Sequence, residues 1–408
     1  MRPVHVFVAE RGNAFMTDIA GWIAEAAGLL GREAALHADG SVPSDPAAVN
    51  LVVAPHEFYL LADLDDATIH RAAQISVPVC TEQPGTPWFD IGAIAARVAP
   101  MVLDINAHGV DALAALGLPA RHLRLGGVPS MNAAGVVGSG ERGIADHAAR
   151  PLDLVYLAGA TDRRGARLAE LAPVLWDRPV ELRLFSFARP VDGDVPGLVF
   201  GADKYKLLAR SRVLLNIHRS DPARGGGYFE WARFLEAMAN GCCVVTEPVD
   251  GHAPYVAGTH FVATDDLADT VARLLDDPAE CARIGAAASH AALDEFPLAV
   301  ALEPLLGELD GLAGRVPVAG RRVPKYGRHL RVAQRLPLLP PFTPNGDLRL
   351  KAFRAMTAET AVQRGIERTR SLLHHGVDDH VERVESPAYA AAEPEVSVIV
   401  TLYNYAHL

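Results

Sequence analysis

The sequence predicts an α/β protein made of two similar doubly wound units, and three observations carry that expectation. Continuous apolar runs of strand length alternate with helical stretches through most of the first 310 residues. The alternation breaks once, at a glycine- and alanine-rich stretch without periodicity, and then resumes. At 408 residues, half of them hydrophobic and 21% charged, the chain is long enough and apolar enough for more than one core.

The first block reads in order as "VHVFVAE", "NAFMTDIAGWIAEAAGLL", "AALHA", "NLVVAPHEFYLL", "DDATIHRAAQ", "VPVCTEQPG", "MVLDINAHG" and "VDALAALGL". Strands that are apolar on both faces, separated by helices, belong to parallel sheets covered on both sides. Residues 1–128 therefore form one expected unit and 129–150 a linker. The linker contains "GSGERG" (Gly138, Gly140, Gly143), which has the GxGxxG spacing of dinucleotide-binding loops. It lacks the strand before it and the helix after it that give the spacing physical meaning, so no nicotinamide or flavin is expected.

The second block, 151–310, repeats the pattern: "LDLVYLAGA", "DRRGARLAELAPVL", "VELRLFSF", "DKYKLLARS", "RVLLNIHRS", "YFEWARFLEAMANG", "CCVVTE", "HFVAT", then "LADTVARLLDDPAECARIGAAASHAALDEF". Two such units in one chain leave a cleft between them. Beyond 310 the composition shifts, with thirteen Lys or Arg against three Asp or Glu in residues 315–370. Residues 311–392 read as a basic, partly helical linker. Its arginines are expected to be solvated or paired with the acidic units, with peripheral docking to an anionic membrane as the sharper alternative.

Composition excludes several classes. A net charge of -11 argues against nucleic acid as a partner. Cys80, Cys242, Cys243 and Cys281 form no CxxC pair and have no histidine at zinc-ligand spacing, so neither a disulfide framework nor a structural zinc is indicated. A reducing cytoplasm is the expected location, at most at the inner face of a membrane, because the N-terminus lacks a signal-peptide pattern and no apolar run approaches the roughly 18 residues of a membrane span.

Ligands of open parallel sheets bind beyond the carboxyl ends of the strands. In the second unit those ends carry Thr161 to Arg164, Phe185 to Phe187, Asn216 to Arg219, and Thr246 with Glu247. Arg163 and Arg164 at a helix start suit a phosphate, and Gly225 to Gly227 offer a second backbone approach before Tyr228. Phe185 or Phe187 could stack on a base, although aromatic residues at a strand end are more often core. A helix begun near Tyr228 places Glu230, Arg233, Glu236 and Asn240 within an arc of about 120° on an otherwise apolar cylinder. That stripe is either an ordinary ion network around Arg233 or a ligand-facing surface. In the first unit the strand ends carry Arg11 and Asn13, His56 and Glu57, Glu82, and Asn106 with His108. His56 and Glu82 are the candidates for moving a proton.

These residues resemble a known family. "RSRVLLNIHRS", "GYFEWARFLEAMANGCCVVTEPVDGHAPYVAGTHFV" and "LADTVARLLDDP" are similar to the C-terminal half of GT-B glycosyltransferases, which carry a Glu-Ala-Met-Ala-x-Gly helix on the nucleotide-sugar side. "YLAGATDRRGARLAEL" and "VLDINAHGVDALAALGLPARHLRLGG" resemble other parts of the same architecture, so the likeness covers about residues 1–310. It implies a metal-independent transfer of a sugar from a nucleotide donor to a saccharide or glycoconjugate, in surface polysaccharide assembly. No cofactor is implied, since the nucleotide sugar is a substrate. Residues 1–128 would face the acceptor and supply His56 and Glu82. Residues 151–310 would hold the donor through Arg163, Arg164, Asn216, Gly227, Tyr228, Glu230, Glu236 and Thr246, with Glu236 on the ribose. Many retaining members carry a glutamate where this chain has Tyr228, and Glu230 stands out of that register. Two other readings stay open: a binding module without catalysis, and a nucleotide-sugar epimerase. Finally, "PEVSVIVTLYNYAHL" resembles the opening strand of a GT-A glycosyltransferase, so residues 393–408 read as the start of a second transferase domain, an expected partner in a longer chain.

Overall fold

The structure is a computed structural model that describes residues 1–61, 66–133, 147–185, 199–220 and 227–312. Phe187, Gly225, Gly226, the "GSGERG" stretch, the basic segment and the GT-A-like segment lie outside the described residues.

Two parallel sheets account for the apolar runs. The first contains β1 (Val4–Phe7), β2 (Ala34–His37), β3 (Val49–Val53), β4 (Ser76–Cys80), β5 (Val102–Asp104) and β6 (Ala120–His122), in the spatial order β2-β1-β3-β4-β5-β6. Its helices are α1 (Ala14–Leu29), α2 (Pro55–Leu61), α3 (Asp66–Gln74), α4 (Pro87–Ala95) and α5 (Ala107–Ala115). Every residue of β3 and β4 is buried, as sheets covered on both faces require. The second sheet contains β7 (Leu152–Gly159), β8 (Val180–Phe185), β9 (Ser211–Asn216), β10 (Cys243–Thr246) and β11 (Val262–Ala263), in the order β11-β10-β9-β7-β8. With it run α6 (Asp162–Leu175), α7 (Gly201–Ala209), α8 (Trp231–Ala239), α9 (Leu267–Asp276), α10 (Pro278–His290) and α11 (Leu298–Asp310). The two doubly wound parallel units are the fold that the sequence pattern predicts.

Three local differences have physical causes. The segment "PHEFYLL", given no element of its own in the run "NLVVAPHEFYLL", is a separate helix, because Ala54 turns the chain sharply at φ 51°. An L-residue with a side chain pays roughly 1–2 kcal/mol for that left-handed conformation. The long helical stretch after 266 is two helices, broken where Asp277 caps the second through Glu280 N and Pro278 takes its first position. The helix expected from Tyr228 begins at Trp231 instead. Residues 227–229 pair with Asp250, Phe229 N donating to Asp250 O at 3.1 Å and Asp250 N to Gly227 O at 2.9 Å, and Phe229 is buried among Trp231, Phe234, Tyr255 and Phe261.

The units are joined by direct contacts. Gly127 N donates to Ala292 O, and Leu298 N to Gly127 O, both at 3.0 Å. A Cβ on Gly127 would stand 2.6 Å from Ala292 O, so only glycine permits this approach. Beyond it, α11 returns to pack on α1, where Arg32 grips Asp310 through two hydrogen bonds of 3.1 and 2.7 Å. In sequence α11 closes the second block; in space it covers the first.

Candidate active site

Each sheet reverses its strand order once, and the expected residues collect at those two places. In the first sheet the reversal lies between β1 and β3. Asn13 follows β1, and His56 and Glu57 follow β3. In the second it lies between β7 and β9. Thr161 to Arg164 follow β7 and Ile217 to Arg219 follow β9. Such switch points open a crevice at the strand ends, where ligands bind.

On the first rim, Glu57 is buried and accepts hydrogen bonds from Asn13 N at 2.8 Å and from Asn13 Nδ2. His56, also buried, holds Nε2 at 3.8 Å from Glu57 Oε1 and 3.7 Å from Glu82 Oε1. The Glu82 side chain retains 27% exposure, the most open of the three. Burial pushes the His56 imidazole down to about 3, so it is neutral at ordinary pH. Burial pushes Glu57 up to about 7, against the Asn13 hydrogen bonds. It also pushes Glu82 up to about 7, with Arg219 holding it back and Glu230 adding to the rise. Arg219 and Glu230 belong to the second unit, so the two rims act on one another across the cleft. A further contact joins them: a Cβ on Gly251 would come 3.8 Å from His108 Nε2. Asn106 turns inward, its N donating to Asp104 Oδ1 at 2.7 Å.

The second rim is built around arginines. Thr161 caps α6 by accepting from Arg164 N at 3.2 Å. Arg163 clamps Glu247 with hydrogen bonds of 2.8 and 2.6 Å and donates to His218 O at 2.8 Å. Arg164 is buried, with Nε donating to Ile217 O at 2.9 Å and Nη1 to Gly159 O at 3.0 Å, so it ties the two sides of the switch point together. Its Nη2 stands 3.7 Å from Glu230 Oε1. Arg233 Nη1 reaches Glu230 Oε2 at 3.1 Å and donates to Asn216 Oδ1 at 2.7 Å. Asn216 in turn donates to Thr246 Oγ1 at 3.0 Å, and both are fully buried. Asn216 and Thr246 thus brace the rim from within. Glu247 is raised by burial but lowered further by Arg163 and the His218 N–H, so it stays ionised. Burial raises the Tyr228 phenol, and Glu230 and Glu82 raise it further. Gly227 is half-buried beside Tyr228.

The polar stripe divides. Glu230 is the N-cap of α8 and Asn240 its C-cap, leaving Arg233 and Glu236 within the helix. Arg233 joins the rim. Glu236 points instead to the seam between units, where Lys204 Nζ lies 2.5 Å from its Oε1 and 3.3 Å from Asp18 Oδ2 on α1. Burial pushes Glu236 up to about 7 against the pull of Lys204. The ion network expected around Arg233 therefore holds for Glu230 and not for Glu236. Lys204 carried no signal in the sequence: "DKYKLLA" reads as a surface turn of helix, and only the docking of α1 buries it. Glu57 was legible as a strand-end carboxylate, but its contact with Asn13 needs the fold.

Among the described residues, no three His, Cys, Asp or Glu side chains are grouped to hold a metal ion, and no helix is long and apolar enough to cross a membrane.

No curated protein matches the chain. Among solved structures, it is similar to Anabaena Alr3699/HepE in complex with UDP and glucose, at 11% identity and a TM-score of 0.49, covering 76% of this chain and 100% of that one. It is also similar to sucrose-phosphate synthase from Thermosynechococcus elongatus (13%, TM-score 0.45, 76% and 100%) and to AviGT4, a glycosyltransferase involved in avilamycin A biosynthesis (14%, TM-score 0.43, 76% and 98%). Residues 178–307, which span β8 to α11, match the family described as glycosyl transferase-like, and that match supports a glycosyltransferase.

Proposed function

We propose that the protein transfers a sugar from a nucleotide-sugar donor to a saccharide or glycoconjugate acceptor at the facing rims. The observation that carries this reading is the meeting of Glu82 and His56 with Arg219, Glu230 and Tyr228, drawn from two sheets. The donor lies on the second rim, with Arg219, Arg233 and Arg164 supplying the positive field for its diphosphate and Glu230 held between two arginines to receive sugar hydroxyls. Gly227 and Tyr228 border that surface, and Asn216, Thr246 and Arg163 keep its shape. No divalent metal is required in this reading, because fixed guanidinium groups stabilise the charge that develops as the diphosphate departs.

Glu82 is the general base. A carboxyl poised at about 7 takes a hydroxyl proton far more readily than an imidazole held at about 3. His56 remains as a neutral hydrogen-bonding group beside it. Glu236, turned to the seam with Lys204 and Asp18, is the residue whose expected contact with the donor ribose a variant must test. The setting is surface polysaccharide assembly beside an attached GT-A module, with residues 315–370 supplying any contact with a membrane.

The experiment is a panel of nucleotide sugars, with release of nucleoside diphosphate measured in the presence of saccharide acceptors and of EDTA. Turnover that survives EDTA supports the reading, and activity abolished by EDTA and restored by manganese contradicts its metal independence. A binding module without catalysis is the second reading, favoured by Tyr228 in place of a carboxylate and by the commitment of Arg163 to Glu247. It predicts nucleotide binding with no turnover of any donor in the panel.

A further inference from the structure

We propose that Glu57 is a positioning residue for this chemistry, fixing His56 and the Gly12–Asn13 loop as one unit at the mouth of the first switch point. The inference rests on the reading of Glu82 as the group that accepts the proton. Glu57 is 2% exposed and does not open into the cleft, so it acts through its neighbours. Both carboxylate oxygens are engaged by one residue, Asn13, through its backbone N–H and its side-chain amide. Asn13 therefore gives no side-chain cap to α1, although it occupies the capping position. A capping residue diverted from its helix onto a buried carboxylate fixes the loop after β1 to the turn after β3.

Gly12 shows how tightly this is built. A Cβ there would stand 2.7 Å from Glu57 Oε2, 3.0 Å from Ala9 Cβ and 3.1 Å from Ala9 O. The same carboxylate lies 3.8 Å from His56 Nε2, the ring nitrogen that also faces Glu82 Oε1 at 3.7 Å. His56 follows Ala54, whose φ of 51° makes the turn sharp, so the imidazole's direction depends on the side chains around it. Of the two carboxylates facing its Nε2, Glu57 is the one fixed by Asn13. A misplacement of about 1 Å can cost roughly a hundredfold in rate.

Glutamine separates the clamp from its charge. In Glu57→Gln the amide oxygen still accepts from Asn13 N, while the new NH₂ donates to Asn13 Oδ1 once that amide flips. The clamp survives without an ionisable group. Glu57→Ala removes both. We expect Glu57→Ala to lower kcat by about tenfold or more, with KM for the nucleotide sugar within about twofold of wild type, and Glu57→Gln to recover most of that loss. Gly12→Ala, which pushes the carboxylate from the other side, should lower kcat in the same direction. The imidazole ¹⁵N signals of His56 give a readout independent of turnover: shifted in Glu57→Ala, restored in Glu57→Gln. If wild type turns over no nucleotide sugar, the reading of the function fails, and the His56 signals still decide the role of Glu57. His56 signals and kcat unchanged in a folded Glu57→Ala protein would overturn the proposal. So would a Glu57→Gln protein as impaired as Glu57→Ala, since charge and not the clamp would then be at work.

Discussion

The two rims are built alike and charged differently. Both stand at the point where a parallel sheet reverses its strand order, and both bury carboxylates there. On the first rim Glu57 is held by Asn13, and Glu82 faces Arg219 and Glu230 with no arginine clamped on it; burial, the largest cause, carries both to about 7. On the second, Glu247 is as deeply buried as Glu57 but is gripped by Arg163 and Arg167, and it is lowered. Burial alone makes a carboxyl that exchanges its proton near neutrality; burial with an arginine makes a fixed anion. In the proposed function this contrast assigns proton transfer to the first unit and binding of a charged donor to the second.

The largest effect should come from removing the proton acceptor. Glu82→Gln is expected to lower kcat by about 10²–10⁴, the usual contribution of a positioned general base, while donor affinity holds. Steady-state kinetics beside equilibrium binding checks this. Retained kcat would break the division between rims.

Next is Glu236, which separates two accounts of one residue. If it holds the donor ribose, Glu236→Ala weakens nucleotide binding about tenfold, the loss of a hydrogen bond to a charged group. If it serves only the seam with Lys204 and Asp18, calorimetry shows unchanged affinity and the loss appears as lowered stability, because Lys204 is left with one partner instead of two.

The same contrast sets a pH dependence of stability. Glu57 has a folded value of about 7, above the ordinary glutamate value of 4.5, so its contribution is full below about 4.5 and is lost as pH rises through 7. His56 acts oppositely: its folded value of about 3 lies below the ordinary histidine value of 6.5, so its contribution grows as pH rises from 3 to 6.5. Denaturation from pH 5 to 8 should show falling stability above 6.5, where only the carboxyls still titrate, and Glu57→Gln should flatten that fall. A smaller effect is expected at the cap of α6, where Thr161→Ala removes the acceptor for Arg164 N at a cost of about 1 kcal/mol in denaturant unfolding.

The fold was legible because strands buried on both faces write themselves as unbroken apolar runs, as in "NLVV" and "CCVV". Boundaries failed where a long-range contact outweighed local preference: Tyr228 and Phe229 have helical neighbours, yet Asp250 holds them extended. Candidate residues were visible as polar letters at strand ends, which is why His56, Glu82, Arg164 and Glu230 could be named. Their partners were not visible. Nothing in "EAMANG" says that Glu236 meets a lysine thirty-two residues earlier, since that depends on how α1 and α7 dock. Arg163 and Arg164 look alike in sequence, and only the fold turns one toward Glu247 and the other toward the backbone of the neighbouring strand.

The most direct test of the division between rims is calorimetric titration of one nucleotide sugar into wild type, Glu82→Gln and Glu230→Gln. Binding by Glu82→Gln at wild-type affinity, with Glu230→Gln at least about tenfold weaker, is the predicted result. The reverse pattern, with affinity lost at Glu82 and kept at Glu230, would contradict it and place the donor on the first rim.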